Sequence, residues 1–139
     1  LETDTHPGFM TDWQQPFLVA LTQAEGTSVI HETVYEERFG YTDTLKEMGA
    51  DITLFDNCLG EVQCRFKDQN YKHSAVIKGP TLLKPANIKL LDIRAGLACM
   101  IAALVAEGES ILTGFEHIER GYEDLYGKLK AIGADINAE

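Results

Sequence analysis

The sequence predicts a mixed α/β (α+β) fold built from two copies of one strand–helix unit. Three observations carry this reading. The stretches "TDWQQPFLVALTQAEGTSVIHETVYEERFGYTDTLKEMGADI" and "LDIRAGLACMIAALVAEGESILTGFEHIERGYEDLYGKLKAIGADI" share an order of parts. Apolar spacing changes from helical to alternating at the same points in both. Each stretch closes on "GADI", with a glycine where a left-handed helix cap is wanted. The offset is 80 residues between Asp12 and Asp92, 82 between Gly26 and Gly108 and between Arg38 and Arg120, and 84 between Gly49 and Gly133. Short insertions into a duplicated unit produce that drift.

The elements follow in order. An apolar helical run starts at Thr11 or Asp12 and ends at "AEG", with Pro16 at or just beyond its first turn, where it costs a hydrogen bond. "TSVIHETV" alternates as a half-buried strand does. A second helix runs to Gly49, and "ADI" begins another strand. The polar stretch of about residues 57–88, with "KGP" and "KPAN", reads as a connecting hairpin and loop, with strands at about 61–66 and 74–78. The second unit repeats the first. Leu97, Met100, Ile101, Leu104 and Val105 form an apolar helical stripe, "ESILTGF" a strand, and Leu125, Leu129 and Ile132 a later helix face. The final "NAE" reads as the stub of a strand. The repeats thus span about residues 9–56 and 89–139 of a single domain, residues 1–139.

Composition bounds the function. The 139 residues are 45% hydrophobic and 24% charged, as expected of a folded domain. No apolar run approaches the roughly 20 residues of a membrane-crossing helix. A formal net charge of -10 argues against nonspecific binding to nucleic acid or acidic membranes. Cys58, Cys64 and Cys99 are an odd number, which favours reduced thiols in a cytoplasmic protein. Neither the cysteines nor His6, His31, His73 and His117 show zinc-finger spacing, so no metal and no cofactor is expected.

The candidate site consists of acids and arginines at matched points of the repeat. Asp12 and Asp92 sit at helix starts, Arg94 lies in the first turn of the second, and Arg38 and Arg120 each follow a strand. Helix N-termini favour anions and guanidinium forks fit carboxylate or phosphate. Three converging arginines among only 12 basic residues would make a local well for a small anionic ligand. A neighbouring aspartate could take a proton from a hydroxyl. Plainer roles fit the same residues: an aspartate at a helix start commonly caps it, an arginine after a strand is commonly solvated, and Asp92 could simply pair with Arg94.

"HPGFMTDWQQPF", "YEERF", "LDIRAG" and "HIERGYEDL", in this order, resemble the bacterial UDP-N-acetylglucosamine 1-carboxyvinyltransferases of the enolpyruvyl transferase family. The resemblance implies an inverted α/β fold of repeated strand–helix units, of which two of the usual repeats are present. It implies transfer of the enolpyruvyl group of phosphoenolpyruvate to the 3-hydroxyl of UDP-N-acetylglucosamine, releasing phosphate, as the first committed step of peptidoglycan synthesis. By motif, Asp12 would hold the sugar and act as general base. Val34 would pack at the UDP-sugar through its backbone. Arg38, Arg94 and Arg120 would line the phosphoenolpyruvate side, and Asp92 would orient Arg94 and join the proton transfers. Met10 stands where the family motif usually has a second proline, leaving the loop before Asp12 less rigid.

Members of that family are much longer, so the chain is expected to be a C-terminal fragment that is inactive alone. The missing domain, with its reactive loop, would be its partner, and the fragment would tend to self-associate through open sheet edges. The alternatives are a shikimate-pathway or paralogous enolpyruvyl transferase, and a non-catalytic acidic interaction domain.

Overall fold

The computed structural model describes residues 1–62 and 64–138. Its elements run α1 (Thr11–Gln23), β1 (Gly26–His31), α2 (Thr42–Glu47), β2 (Asp51–Phe55), β3 (Ser74–Gly79), β4 (Asn87–Lys89), α3 (Ile93–Val105), β5 (Ile111–Thr113), α4 (Glu116–Glu119) and α5 (Leu125–Ala131). The first unit runs α1, β1, α2 and β2 as the repeat requires, whereas the second runs α3, β5, α4 and α5; the class is the mixed one expected.

In the first unit β3 is the central strand of an antiparallel sheet ordered β1-β3-β2. Gly26 pairs with Gly79 and His31 with Ser74 on one side of it, and Phe55 pairs with Ser74 on the other. The N-terminal residues extend this sheet: His31 N–H donates to Leu1 O at 3.0 Å and Thr3 N–H to His31 O at 2.9 Å. Among the described residues the second unit has one strand pair, the parallel β4-β5, registered Asn87 to Ile111 and Lys89 to Thr113.

Helices α1 and α3, both 13 residues long, pack together side by side. Their C-terminal ends rest on one connecting segment, which donates Thr81 N–H to Thr22 O at 2.8 Å and accepts Glu107 N–H on Leu83 O at 3.2 Å. Their N-termini therefore emerge together. Beneath them Leu18, Ile30, Leu45, Met48 and Ile77 are fully buried, each side chain contributing about 1.5–3 kcal/mol of burial. Gly79 lets β3 run hard against the end of α1, since a Cβ there would collide with the carbonyl oxygens of Ala24 and Thr22. Gly49 and Gly133 close their helices at φ of 104° and 95°, as their sequence positions require.

Four local expectations fail. Residues 61, 62 and 64–66 form bends and turns rather than a strand, and Gln63 lies outside the described residues. The alternation of Val62, Cys64 and Phe66 reflects burial of a loop: Phe66 packs on Tyr71 and His73 at 6.2 and 5.9 Å. The 57–88 stretch consequently holds no hairpin; it supplies the middle strand, β3. Residues 134–138 form no strand, because no neighbour supplies the pairing that β3 gives β2, and Glu139 lies outside the described residues. Finally, the buried positions of α3 are mostly small, Gly96, Ala98, Cys99 and Ala102 with Met100, because the helix is packed against both α1 and α4, and a Cβ on Gly96 would collide with Ile118. Leu104 and Val105 of the expected stripe remain 37% and 42% exposed.

Candidate functional site

The expected acid–acid correspondence is the first thing the structure revises. Helix α1 begins at Thr11 and α3 at Ile93, and 93 − 11 = 82. That is the offset shared by Gly26 and Gly108 and by Arg38 and Arg120. Asp12 therefore corresponds to Arg94, and Asp92 to Met10. Opposite charges occupy matched positions on neighbouring helices.

Asp92 is a true N-cap, with φ −148° and ψ 168°, and its Oδ1 accepts from Arg94 N–H at 2.9 Å and Ala95 N–H at 3.0 Å. Asp12 is not a cap. Met10 holds that position, with no side-chain cap, and Asp12 lies inside the first turn. Pro16, four residues on, has no N–H to give Asp12's carbonyl, yet α1 continues through it. The Asp12 carboxylate, free of any capping duty, lies between two guanidinium groups. Its Oδ1 accepts from Arg38 Nη2 at 2.6 Å and lies 2.5 Å from Arg94 Nε, and Arg94 Nη2 donates to Oδ2 at 3.4 Å. Arg94 thus pairs with Asp12 through its side chain and with Asp92 only through its backbone.

The three groups differ in exposure. Arg38's side chain is 11% exposed, while those of Asp12 and Arg94 are 50% and 45% exposed. Arg38 is fixed from behind: its guanidinium carbon lies 4.5 Å from the centre of the Tyr35 ring, and its Nε is buried without a hydrogen-bond partner. One firmly seated cation and one mobile cation share a carboxylate at the surface. An arriving anion can recruit both, because Arg94 has little burial to lose.

Val34 lies three residues beyond the end of β1, not within the strand. Its N–H donates to Glu32 Oε1 at 2.9 Å, its carbonyl accepts from Arg65 Nη2, and it lines a cleft of about 230 Å³ with Thr33, Arg65, Asp4 and Thr5. Arg120 ends α4 in an exposed position and does not join the Asp12 cluster among the described residues.

Glu32 is the residue the sequence reading missed. It is fully buried, and its Oε1 accepts from Thr3 Oγ1, Val34 N–H and Tyr35 N–H at 2.9, 2.9 and 3.0 Å. Its Oε2 accepts from Thr11 Oγ1 at 2.9 Å. One carboxylate thus fixes the loop leading to Arg38 and the residue next to Asp12. The clue was an acid inside the apolar alternation of "SVIHETV". A second buried group, His31, Cys58, Cys64 and His73, lies apart from the arginines and has the donor types of a metal site.

Comparison with solved structures defines the class. The chain superposes on the enolpyruvyl transferase NikO from Streptomyces tendae with a TM-score of 0.77 and 29% identity, covering 99% of this chain and 28% of that one. The fold is also that of the EPSP synthase from Acinetobacter baumannii, at a TM-score of 0.64 and 21% identity. Residues 1–129 match the family model described as EPSP synthase (3-phosphoshikimate 1-carboxyvinyltransferase), and the chain belongs to this family of enolpyruvyl transferases. Among its curated relatives are the UDP-N-acetylglucosamine 1-carboxyvinyltransferases of Protochlamydia amoebophila, 61% identical over 99% of this chain, and Chlamydia trachomatis serovar D, 53% identical over 99%. The chain spans about 30% of the length of these relatives.

Proposed function

We propose that this chain supplies part of the active site of a UDP-N-acetylglucosamine 1-carboxyvinyltransferase acting in peptidoglycan synthesis. The observation that carries the reading is the Asp12 carboxylate held by Arg38 and Arg94 where α1 and α3 emerge together. The two guanidiniums would take the carboxylate and phosphate of phosphoenolpyruvate. Asp12, released from them as the anion arrives, would accept the proton of the sugar 3-hydroxyl as its oxygen adds to the enol carbon. Protonation of the methylene carbon would give a tetrahedral intermediate. Loss of a proton from the new methyl group and of phosphate would then restore the double bond and give the enol ether product.

Asp92 would position Arg94 by fixing its helical turn, with Oδ2 left outside the cap for proton transfer. Val34 would border the UDP-sugar, and Arg120 would close over the anion from α4. The remainder of the longer protein would provide the other wall of the cleft, so the isolated chain would not turn over. Sequence identity of 61% across nearly the whole chain supports a UDP-sugar acceptor over shikimate 3-phosphate.

The test is phosphate release from phosphoenolpyruvate by the complete protein with each acceptor in turn. Release with UDP-N-acetylglucosamine alone is expected. Release with shikimate 3-phosphate alone would overturn the acceptor, and binding of neither would restore a non-catalytic role.

A further inference from the structure

The fold gathers two histidines and two cysteines that are 42 residues apart at their extremes (73 − 31) into one buried knot. His31 ends β1, His73 immediately precedes β3, and Cys58 and Cys64 come from the loop between β2 and β3. One ligand atom from each lies within 4.8 Å of the other three. In a tetrahedral zinc site, bonds of about 2.3 Å to sulfur and 2.0–2.1 Å to nitrogen put ligand atoms about 3.3–3.8 Å apart. Cys58 Sγ and His73 Nε2 already stand at 3.4 Å. The remaining pairs need close only by about 1 Å or slightly more.

The surroundings orient all four as a metal would need. His31 Nδ1 is 3.0 Å from Glu2 Oε2, while its buried Nε2 has no hydrogen-bond partner. His73 Nδ1 donates to Tyr71 O at 2.7 Å, which turns Nε2 toward Cys58. A carboxylate or carbonyl behind the imidazole is the usual support of a metal-bound histidine. Glu2 is itself held, accepting from Glu61 and Val62 N–H, both at 2.8 Å. A Cβ on Gly60 would collide with its carboxylate and with His31. Phe66 N–H points at Cys64 Sγ at 3.3 Å, a donor suited to a thiolate. The cysteines border an open cleft lined also by Asp56, Asp68 and Lys67, through which an ion could reach them.

We propose that His31 and His73, through Nε2, and Cys58 and Cys64, through Sγ, bind one structural zinc ion. Two thiolates and two imidazoles in a closed tetrahedron suit zinc, and the filled coordination leaves no place for substrate. The ion would tie the 56–73 loop to the ends of β1 and β3, and with it Arg65, which holds the Val34 carbonyl. Zinc-finger spacing is absent because the ligands are assembled by a sheet and a loop rather than by a local turn.

The test is metal content and cobalt substitution of the chain, purified under reducing conditions without chelator. One zinc per chain is expected, with a sulfur-to-cobalt charge-transfer band after exchange. Cys58→Ser/Cys64→Ser should lose both, while Cys99→Ser, which alters a cysteine of α3, should keep them. If the double variant fails to fold, the cobalt spectrum of the unaltered chain decides. A folded, reduced chain that gives no thiolate–cobalt band, or a band that survives in denaturant, would overturn the site. So would a Cys58–Cys64 disulfide recovered from reduced cells. None of these readouts depends on catalysis.

Discussion

Asp12 and Arg94 occupy matched positions of two repeated helices, and 82 residues apart in sequence they form an ion pair with Nε–Oδ1 of 2.5 Å. Packing α1 beside α3 with both N-termini together makes this pairing possible.

Replacing Asp12 by Asn in the complete protein should lower kcat by about 10²–10⁴, the usual contribution of a general base. Because Asp12 does not cap α1, the thermal midpoint should fall only by the share that its ion pair with Arg38 contributes. A large fall in stability with turnover retained would return Asp12 to a structural role.

Double-mutant cycles should separate the two ion pairs. With half of Asp12 exposed, the Asp12–Arg94 coupling should be about 0.2–1 kcal/mol and fade with added salt. The coupling of Asp12 to the more buried Arg38 should be larger and less salt-sensitive. Equal couplings from urea titrations would contradict the distinction between a seated and a mobile cation.

Glu32→Ala strips partners from Thr3, Thr11, Val34 and Tyr35 at once. A loss of about 1–3 kcal/mol or more is expected, since buried donors are left unsatisfied. In the complete protein KM should rise, as the loop to Arg38 loosens. Chemical denaturation and steady-state kinetics on the same variant check both halves.

Alkaline pH should weaken the fold. Burial holds the Tyr41 hydroxyl well above its ordinary 10.0, with the Glu32 charge adding to the shift, and burial also raises the Cys99 thiol above 9.0. Below those ordinary values both groups are protonated whether the chain is folded or not. Above them the unfolded chain ionises and the folded one resists, so stability is full at neutral pH and falls as pH climbs past about 9–10. Tyr41→Phe should flatten part of that fall, while forfeiting the 3.1 Å bond from Tyr41 to Gln14. Thermal midpoints across the alkaline range provide the check.

The isolated chain should self-associate. Leu91, Ile111 and Ile132 of the second unit are 70%, 57% and 81% exposed, and among the described residues β5 has no antiparallel neighbour like the one β3 gives β1. Sedimentation should show a concentration-dependent species heavier than the 15.4 kDa monomer. A strictly monomeric chain would mean that these edges are protected in solution.

Local signals were legible. The two long helices, β1, the start of β2 at the first "ADI" and the glycine caps at Gly49 and Gly133 follow from spacing and backbone preference, which act within a few residues. The strand expected at 61–66 failed because alternation reports burial on one side, whether or not a ladder forms. The apolar stripe of α3 was misplaced because periodicity finds large side chains, whereas close packing against α1 and α4 selected the small ones.

By itself, the sequence determined the duplicated order of elements, the mixed class and the candidate arginines and acids. It even held the 82-residue offset, though the acids masked it. Only the tertiary structure decided that Asp12 answers to Arg94, that Asp92 caps, that Arg120 stands apart and that Glu32 and the His31–His73 knot exist. Those outcomes depend on contacts between residues far apart in the chain. Such contacts are set by how helices and strands pack, and no local pattern encodes them.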